Sequence, residues 1–340
     1  MKKIRGFACL ILVMAAVLSV ASCEEKADPS YEHMVGVTDF ELASFLPVSQ
    51  LIELEASGVA YPEKYTLKWR IPELYEDTLT GSHLTIRTPD EPGYLTVTLY
   101  TQAWGYYELD NSKSAILIDS TKSLTGRNFR GRLITDPRDG QKYHTTYVDS
   151  LEWFSENLKW AGAGTCYTDC DVLQPIFGRL YTWNEATGGV EGSGLAGGPQ
   201  GACPEGWSVP TAEDWESLSK GLNKGVPMKF LSNWAGLGQK LTVEAYLNGK
   251  KLWPISPDNL KTNDVFWNAL PAGYNMRAEG IYREFSSYGM WWSSAKRNDS
   301  RAYYRYIYFD ADYCGVNYAD IDNVAFSVRC VKRRGGIEPL

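Results

Sequence analysis

Short segments of alternating apolar and polar residues mark the first third of the chain. Within 65–71 every second residue is apolar, and 95–99 repeats the pattern. A period of two is typical of half-buried strands. Two further short strands are predicted at 84–86 and 115–118, and turn-forming residues separate the predicted strands. The spacing predicts a small all-β sandwich over residues 35–119.

Helical periodicity appears near the middle of the chain. Thr211 is a favourable N-cap, and Asp214 three residues later completes a capping-box signal. From Trp215 onward, apolar residues recur at i, i+3 and i+7, which gives one apolar face. We therefore predict a helix that begins after Thr211 and ends in the region of Gly221 and Gly225.

The N-terminus has the pattern of an export signal. Three basic residues precede an apolar run at 7–20, which is short for a membrane span. Small residues then lead to Cys23 in a pattern that resembles a lipobox. We predict a lipoprotein signal peptide over 1–22 and Cys23 as the lipidated first residue of the mature chain. An ordinary secretory signal with an incidental cysteine is the alternative.

The segment 23–34 is predicted to be an acidic tether. Its first residues resemble the acidic signal that sends Bacteroidota lipoproteins to the outer face of the outer membrane. We therefore expect a surface-exposed outer-membrane lipoprotein that contacts the membrane through its N-terminal lipid. Short acidic linkers are also common because they stay solvated, which is the alternative explanation.

The composition is that of a folded, exported protein. The 340 residues are 44% hydrophobic and 13% aromatic, which is enough for two domains. The formal net charge of −7 and the lack of a basic stripe argue against nucleic acid as a partner. A polar, basic stretch at 120–132 is predicted as the linker to a second domain at 133–334, and 335–340 as a tail.

Seven blocks of sequence resemble one protein family. The run CPEGWSVPTAEDWESL at 203–218 is similar to the signature of the Fibrobacter succinogenes major paralogous domain family. The other blocks occur in the expected order: DPRDGQKY (136–143), WFSENLKW (153–160), FGRLYTWNEA (177–186), FWNALPAGYN (266–275), MWWSSA (290–295) and AFSVRCV (325–331). The resemblance implies an α+β, C-type-lectin-like second domain, distantly similar to formylglycine-generating enzymes. It implies a fold and no activity.

A shorter resemblance concerns the first domain. The segment PDEPGYLTVTLY at 89–100 is similar to a strand of PKD-like and other bacterial immunoglobulin-like modules. It implies that the predicted all-β sandwich at 35–119 is of the Ig/PKD-like type.

Five cysteines fall in the second domain, where export favours disulfides. Alternation around Cys330 turns its side chain inward, and we predict a bridge from Cys203 to Cys330. Cys166 and Cys170 either pair with each other, which leaves Cys314 single, or one of them pairs with Cys314. An odd count leaves one thiol free or a pairing unassigned.

The sequence offers one set of candidate metal ligands. Carboxylates on both sides of a glycine-containing loop could gather around calcium, as in some lectin-like folds. They are Asp310, Asp312, Asp320 and Asp322. A solvated loop between two strands is the alternative. The Cys-x3-Cys spacing and three scattered histidines argue against zinc, so no cofactor other than calcium is predicted.

Candidate catalytic residues are lacking in the sequence. His144 is the only histidine of the second domain, so a hydrolase triad has a single candidate base. The oxidase that the fold resembles needs two nearby cysteines before its last strand, and only Cys314 stands there. We predict a protein that is not an enzyme, with a cryptic formylglycine-generating-like enzyme as the disfavoured alternative.

Aromatic residues suggest binding as the function. Rings stack on the apolar faces of sugars while amides take their hydroxyls. The candidate ligand-binding residues are Trp291, Trp292, Tyr304 and Trp104, and core packing is the alternative role. We predict a non-catalytic surface lipoprotein that binds or adheres to glycan or to a surface protein. The alternative is a structural subunit of a surface assembly, such as a fimbria-like structure.

Overall fold

The computed structural model describes residues 30–257 and 260–333. The predicted signal peptide at 1–22, the lipidation site Cys23 and the tail at 335–340 lie outside the described residues. Strands predominate in the described ranges, and the helices are few and short. None of those helices combines the length and the apolar character needed to cross a membrane.

The N-terminal part consists of two sheets. Its strands are β1 (Asp39–Phe40), β2 (Phe45–Pro47), β3 (Leu51–Ser57), β4 (Thr66–Arg70), β5 (Leu79–Thr80), β6 (His83–Arg87), β7 (Gly93–Gln102) and β8 (Leu109–Ile118). One sheet has the order β1-β3-β6 and the other β2-β8-β7-β4-β5. The pair of β2 and β8 is parallel, and the other pairs are antiparallel.

One apolar core joins these two sheets. The predicted alternation is confirmed on β4, where Trp69 is buried, and on β7, where Leu95 and Leu99 are fully buried. Phe40 of the smaller sheet meets the Trp69 ring edge-on, with ring centroids 5.3 Å apart. The period-two pattern therefore predicted both the strands and their inward faces.

The C-terminal part begins with β9 (Leu124–Thr125). Its other strands are β10 (Leu133–Thr135), β11 (Lys142–Val148), β12 (Leu151–Phe154), β13 (Tyr181–Thr182), β14 (Tyr246–Leu247), β15 (Lys250–Lys251), β16 (Tyr274–Met276), β17 (Ile281–Arg283), β18 (Tyr288–Asn298), β19 (Arg301–Tyr308), β20 (Cys314–Asp320), β21 (Val324–Phe326) and β22 (Val331–Arg333). They form four small sheets, ordered β10-β11-β12-β22, β13-β21-β16-β17, β15-β14-β9 and β18-β19-β20.

Within the described part of the chain, four α-helices lie among these strands. They are α1 (Gln174–Phe177), α2 (Trp183–Thr187), α3 (Ala212–Leu222) and α4 (Gly238–Leu241), and two 3-10 turns at Tyr167–Asp169 and Asp171–Leu173 precede α1. The longest, α3, is the predicted helix. Thr211 Oγ1 accepts a hydrogen bond from the Asp214 backbone N–H at 3.1 Å, and Asp214 Oδ2 accepts one from the Thr211 N–H at 2.9 Å. This reciprocal capping satisfies two free N–H groups at the helix start.

The predicted disulfide between Cys203 and Cys330 is present and spans 127 residues of sequence. The other predicted pairings, Cys166 with Cys170 or one of these with Cys314, are wrong, because all three cysteines are free. The first two thiols have different partners. The Cys166 thiol lies 3.3 Å from a carboxylate oxygen of Asp171, whereas Cys170 donates to a backbone carbonyl of the N-terminal part.

Arg329 lies beside the disulfide and is buried, with 1% of its surface exposed. It donates to three backbone carbonyls, those of Phe154, Trp267 and Asn268, and its Nε donates to Asn157 Oδ1 at 2.8 Å. Its guanidinium stacks on the Trp267 ring at 4.1 Å from the centroid. Burial lowers the pKa of Arg329 to about 9, so the group stays charged at neutral pH. Its hydrogen bonds join two other chain segments, 154–157 and 267–268, to its own.

A buried ion cluster lies nearby. The Glu156 carboxylate lies 3.1 Å from the Arg127 guanidinium, 3.2 Å from the His144 ring and 3.5 Å from the Lys159 ammonium group. Burial acts to raise the pKa of this carboxyl, but the charges of Lys159 and Arg127 and the hydrogen bonds from His144 lower it below its ordinary value. The cluster fixes Arg127, a residue of the predicted linker, against the C-terminal part.

The two parts of the chain pack directly against each other. Strand β9, within the predicted linker, pairs with β14. Phe45 and Ile118 of the N-terminal part share an apolar cluster with Phe177 and Leu252, and Asn248 Nδ2 donates to the Leu117 carbonyl at 2.7 Å. The junction is therefore a packed interface.

Candidate functional site

The sheet β18-β19-β20 has one face toward the interior and one that is partly open. Side chains alternate between faces along a strand, so Arg305 and Ile307 of β19 lie inward and Tyr304 and Tyr306 lie on the other face. Both inward side chains are fully buried. The two tyrosines are only half-buried, and the register places Tyr306 between Met290 of β18 and Gly315 of β20.

A groove of about 280 Å³ lies on this partly open face. Five tyrosines, a methionine, an amide and a carboxylate line it: Tyr274, Tyr288, Tyr304, Tyr306, Tyr313, Met290, Asn317 and Glu284. We call it the tyrosine groove. Glu284 and Asn317 are exposed at its rim. Among these eight side chains, Glu284 carries the only charge.

Gly315 permits the floor of the tyrosine groove to form. The ring of Tyr306 lies over this residue, and a Cβ built at Gly315 would fall 2.3 Å from Tyr306 Cζ. The Tyr306 ring meets the Tyr313 ring edge-on, with their centroids 6.2 Å apart. The missing side chain at position 315 thus leaves the space that the Tyr306 ring occupies.

Tyr288, Tyr304 and Tyr306 of the groove remain protonated at neutral pH. Burial raises the pKa of Tyr304 to about 12, and burial is also the main cause of the raised pKa of Tyr306 and of Tyr288. A protonated phenol both donates and accepts hydrogen bonds. The groove therefore presents ring faces, neutral hydroxyls, one amide and one carboxylate.

Comparison with family models places this site in a known domain. The model of the Fibrobacter succinogenes major domain matches residues 125–332, more than half of the chain. The protein belongs to the Fibrobacter succinogenes major domain family. All eight residues of the tyrosine groove lie within this family domain, as do Cys203 and Cys330. A search of curated proteins found no match.

The four predicted ligand-binding aromatics lie in three different environments. Tyr304 lines the tyrosine groove. Trp291 and Trp292 are buried, with 1% and 0% of their surface exposed, and the prediction that they contact ligand is therefore wrong. The Trp291 indole donates to Asn157 inside the core, and Phe326 covers Trp292 at a centroid distance of 4.6 Å.

Trp104 is far more exposed, at 99% of its surface. It lies in the turn between β7 and β8 of the N-terminal part, outside the family domain. The turn is at the end of these strands opposite the packed interface, because β7 begins and β8 ends at that interface. Trp104 and Tyr304 therefore belong to separate surfaces.

The predicted calcium ligands do not converge. Asp310 and Asp312 precede strand β20, whereas Asp320 ends it and Asp322 follows it, and seven strand residues span roughly 20 Å. Asp322 Oδ1 instead accepts a hydrogen bond from the side-chain amide of Asn184 in α2. Asp320 Oδ1 accepts one from the backbone N–H of Asp322 at 2.9 Å. Within the described ranges, no three His, Cys, Asp or Glu side chains are grouped to hold a metal.

Two of the free thiols in the family domain, Cys166 and Cys314, are buried. Burial raises the pKa of Cys314 to about 11 and that of Cys166 to about 12. Cys314 is 1% exposed and lies below the sheet, on the face opposite Tyr306. Because the thiolate is the reactive form, both groups are poor nucleophiles at neutral pH.

Sequence reasoning identified Tyr304 but not its companions Tyr274, Tyr288, Tyr313 and Glu284. The available signal was the alternation within Arg301–Tyr308, which places Tyr304, Tyr306 and Tyr308 on one face. It does not show which other strands supply the rim. That information lies in the pairing of β18, β19 and β20.

Proposed function

We propose that the protein is a non-catalytic cell-surface lipoprotein whose family domain binds glycan in the tyrosine groove. The observation that carries the proposal is the grouping of five tyrosines with one amide and one carboxylate around a groove of about 280 Å³. Tyrosine rings can stack on the C–H faces of a sugar. Their protonated hydroxyls, together with Asn317 and Glu284, can pair with its hydroxyl groups.

The groove favours a short, neutral glycan segment. Its volume is close to the lower limit of about 300 Å³ for small-molecule sites, which suits one or two rings. Glu284 is the only charged lining residue, so an acidic sugar would meet repulsion from its carboxylate. A neutral sugar meets no such repulsion.

The remaining parts of the proposal concern architecture and location. We assign a C-type-lectin-like fold to 133–334 and an Ig/PKD-like sandwich to 35–119, on the sequence resemblances and on the β-rich character of the chain. The lipobox-like pattern at Cys23 supports lipidation and placement at the outer membrane surface. The raised pKa of Cys314 supports a binding role over thiol chemistry.

A glycan array probed with the mature chain tests the proposal, once with calcium and once with chelator. We expect retention of neutral glycans in both conditions, since the four candidate aspartates do not converge. In solution, Asn317→Ala and Tyr306→Phe each remove a polar partner at the groove, and the loss of one hydrogen bond predicts about 3- to 10-fold weaker binding.

Tyr318→Phe is the matched control, because Tyr318 lies one residue from Asn317 on the opposite face of β20. We expect this variant to bind like the unchanged chain. A blank array with folded protein would reject the glycan proposal, and so would groove variants that bind as well as the control. If the chain captures a surface protein and Asn317→Ala weakens that capture, the ligand of the groove is a protein instead.

A further inference from the structure

Large apolar side chains are exposed together at one end of the N-terminal part. Six of them have more than a third of their surface exposed: Tyr31 48%, Val35 60%, Val37 73%, Tyr61 51%, Tyr65 37% and Trp104 99%. We call this group the aromatic tip. Exposed apolar residues that are scattered singly are ordinary, whereas a contiguous group marks an interaction surface.

Hydrogen bonds show that the aromatic tip is one surface. The Glu32 N–H donates to the Gly105 carbonyl at 2.9 Å, which brings the segment with Tyr31 beside Trp104. The Val35 N–H donates to the Tyr61 carbonyl at 2.9 Å. The three segments that carry the tip are therefore joined by backbone pairing.

The aromatic tip lies at the end of the molecule opposite the family domain. Strand β7 has ten residues, which at about 3.3 Å per residue gives a length of roughly 33 Å. Its first residue, Gly93, pairs with Leu117, whose carbonyl accepts from Asn248 at the packed interface. Its last residue adjoins the turn that holds Trp104.

The position of the predicted lipidation site in the sequence indicates that the partner of the aromatic tip is a membrane. Seven residue steps separate Cys23 from Ser30, and an extended chain of that length spans at most about 25 Å. A lipid on Cys23 would therefore hold the bilayer close to Tyr31 and to the surface around it. Tryptophan and tyrosine are the side chains that favour the headgroup region of a membrane.

We propose that the aromatic tip docks on the phospholipid headgroups of the membrane that anchors the chain. The inference rests on the lipidation of Cys23 in the proposed function and is independent of the ligand of the tyrosine groove. The six side chains of the tip carry no charge, so docking needs no anionic lipid. Because the lipid already keeps the tip at high local concentration, weak contact is sufficient.

The docking orients the whole chain. With the tip on the bilayer and the family domain beyond the far end of β7, the tyrosine groove is held away from the membrane and accessible from outside. The packed interface between the two parts keeps that arrangement fixed.

The test uses the full chain, purified with its lipid and incorporated into phosphatidylcholine vesicles. Trp104→Cys receives an environment-sensitive dye, and Val190→Cys, whose parent side chain is 55% exposed in the family domain, is the matched control. The unsubstituted chain, labelled in parallel, corrects for the free thiols. We expect iodide in the external buffer to quench the dye at position 104 several-fold less than the dye at 190.

A second variant separates docking from anchoring. Cys23→Ser is combined with Trp104→Cys and, separately, with Val190→Cys. For these proteins in buffer without vesicles, we expect iodide to quench the dyes at positions 104 and 190 equally. Shielding of position 104 there would assign the tip to a second copy of the chain and overturn the proposal. Equal quenching in vesicles, with mass spectrometry showing lipid on Cys23, would overturn docking while lipidation stands. An unlipidated Cys23 would overturn both.

Discussion

Replacement of Arg329 by methionine tests whether this buried guanidinium holds the family domain together. The side chain is 1% exposed and donates to the carbonyls of Phe154, Trp267 and Asn268. Methionine has a similar length and fits an apolar interior, but it donates no hydrogen bond. The substitution therefore leaves three buried carbonyls short of a donor.

The magnitude follows from those acceptors. A buried acceptor without a partner costs about 1–3 kcal/mol, and three of them give at least about 3 kcal/mol. The loss of the stacking contact with Trp267 adds to this, while relief from burying a charge offsets part of it. We expect Arg329→Met to lower the free energy of unfolding by about 3–5 kcal/mol.

Urea unfolding followed by tryptophan fluorescence measures the effect. Arg333→Met is the matched control, because Arg333 is exposed four residues further along the chain, and its loss should change stability by less than about 0.5 kcal/mol. Arg329→Lys keeps the charge but not the planar fork of donors, so we expect an intermediate loss. Equal midpoints for the two methionine variants would refute the reasoning.

Three further predictions concern stability and thiol chemistry. Replacing Cys203 and Cys330 by alanine should lower the free energy of unfolding by about 4–5 kcal/mol, because the bridge closes a loop of 127 residues; unchanged urea midpoints would contradict this. The lowered pKa of Glu156 means that its charge stabilises the fold above about pH 4.5 and that this contribution is lost as the pH falls through the lowered pKa. The stability difference between Glu156→Gln and the unchanged chain should therefore shrink in acid, and a difference independent of pH would argue against it. Cys166 and Cys314 should react with iodoacetamide far more slowly in native protein than in urea at pH 7.5, as mass spectrometry of the labelled peptides can show, since burial raises the pKa of both thiols.

Local signals in the sequence predicted much of the fold. Alternation identified β4 and β7 and their buried faces, since side-chain direction follows from the period of a strand alone. Thr211 and Asp214 fixed the start of α3, because capping depends on residues only three positions apart. The inward direction of Cys330 also led to the correct partner for the disulfide.

The site was harder to predict because long-range pairing creates it. Alternation separates the two faces of a strand, but it does not show whether another segment covers one of them. Trp292 and Tyr304 lie opposite each other on neighbouring strands, yet the first is fully buried and the second remains partly open. The candidate calcium ligands do not converge for a similar reason, because β20 separates two acidic turns that are close in sequence.

For redesign, the tyrosine groove has positions of two kinds: a floor position that cannot be changed freely, Gly315, and rim positions that can. The Tyr306 ring occupies the space that a side chain at 315 would need, so any change there reshapes the floor. Glu284 and Asn317 are exposed at the rim and can be exchanged without disturbing the sheet. A library randomised at those two rim positions would keep a folded scaffold while its ligand preference diversifies, and the same scaffold could thereby be directed to many targets.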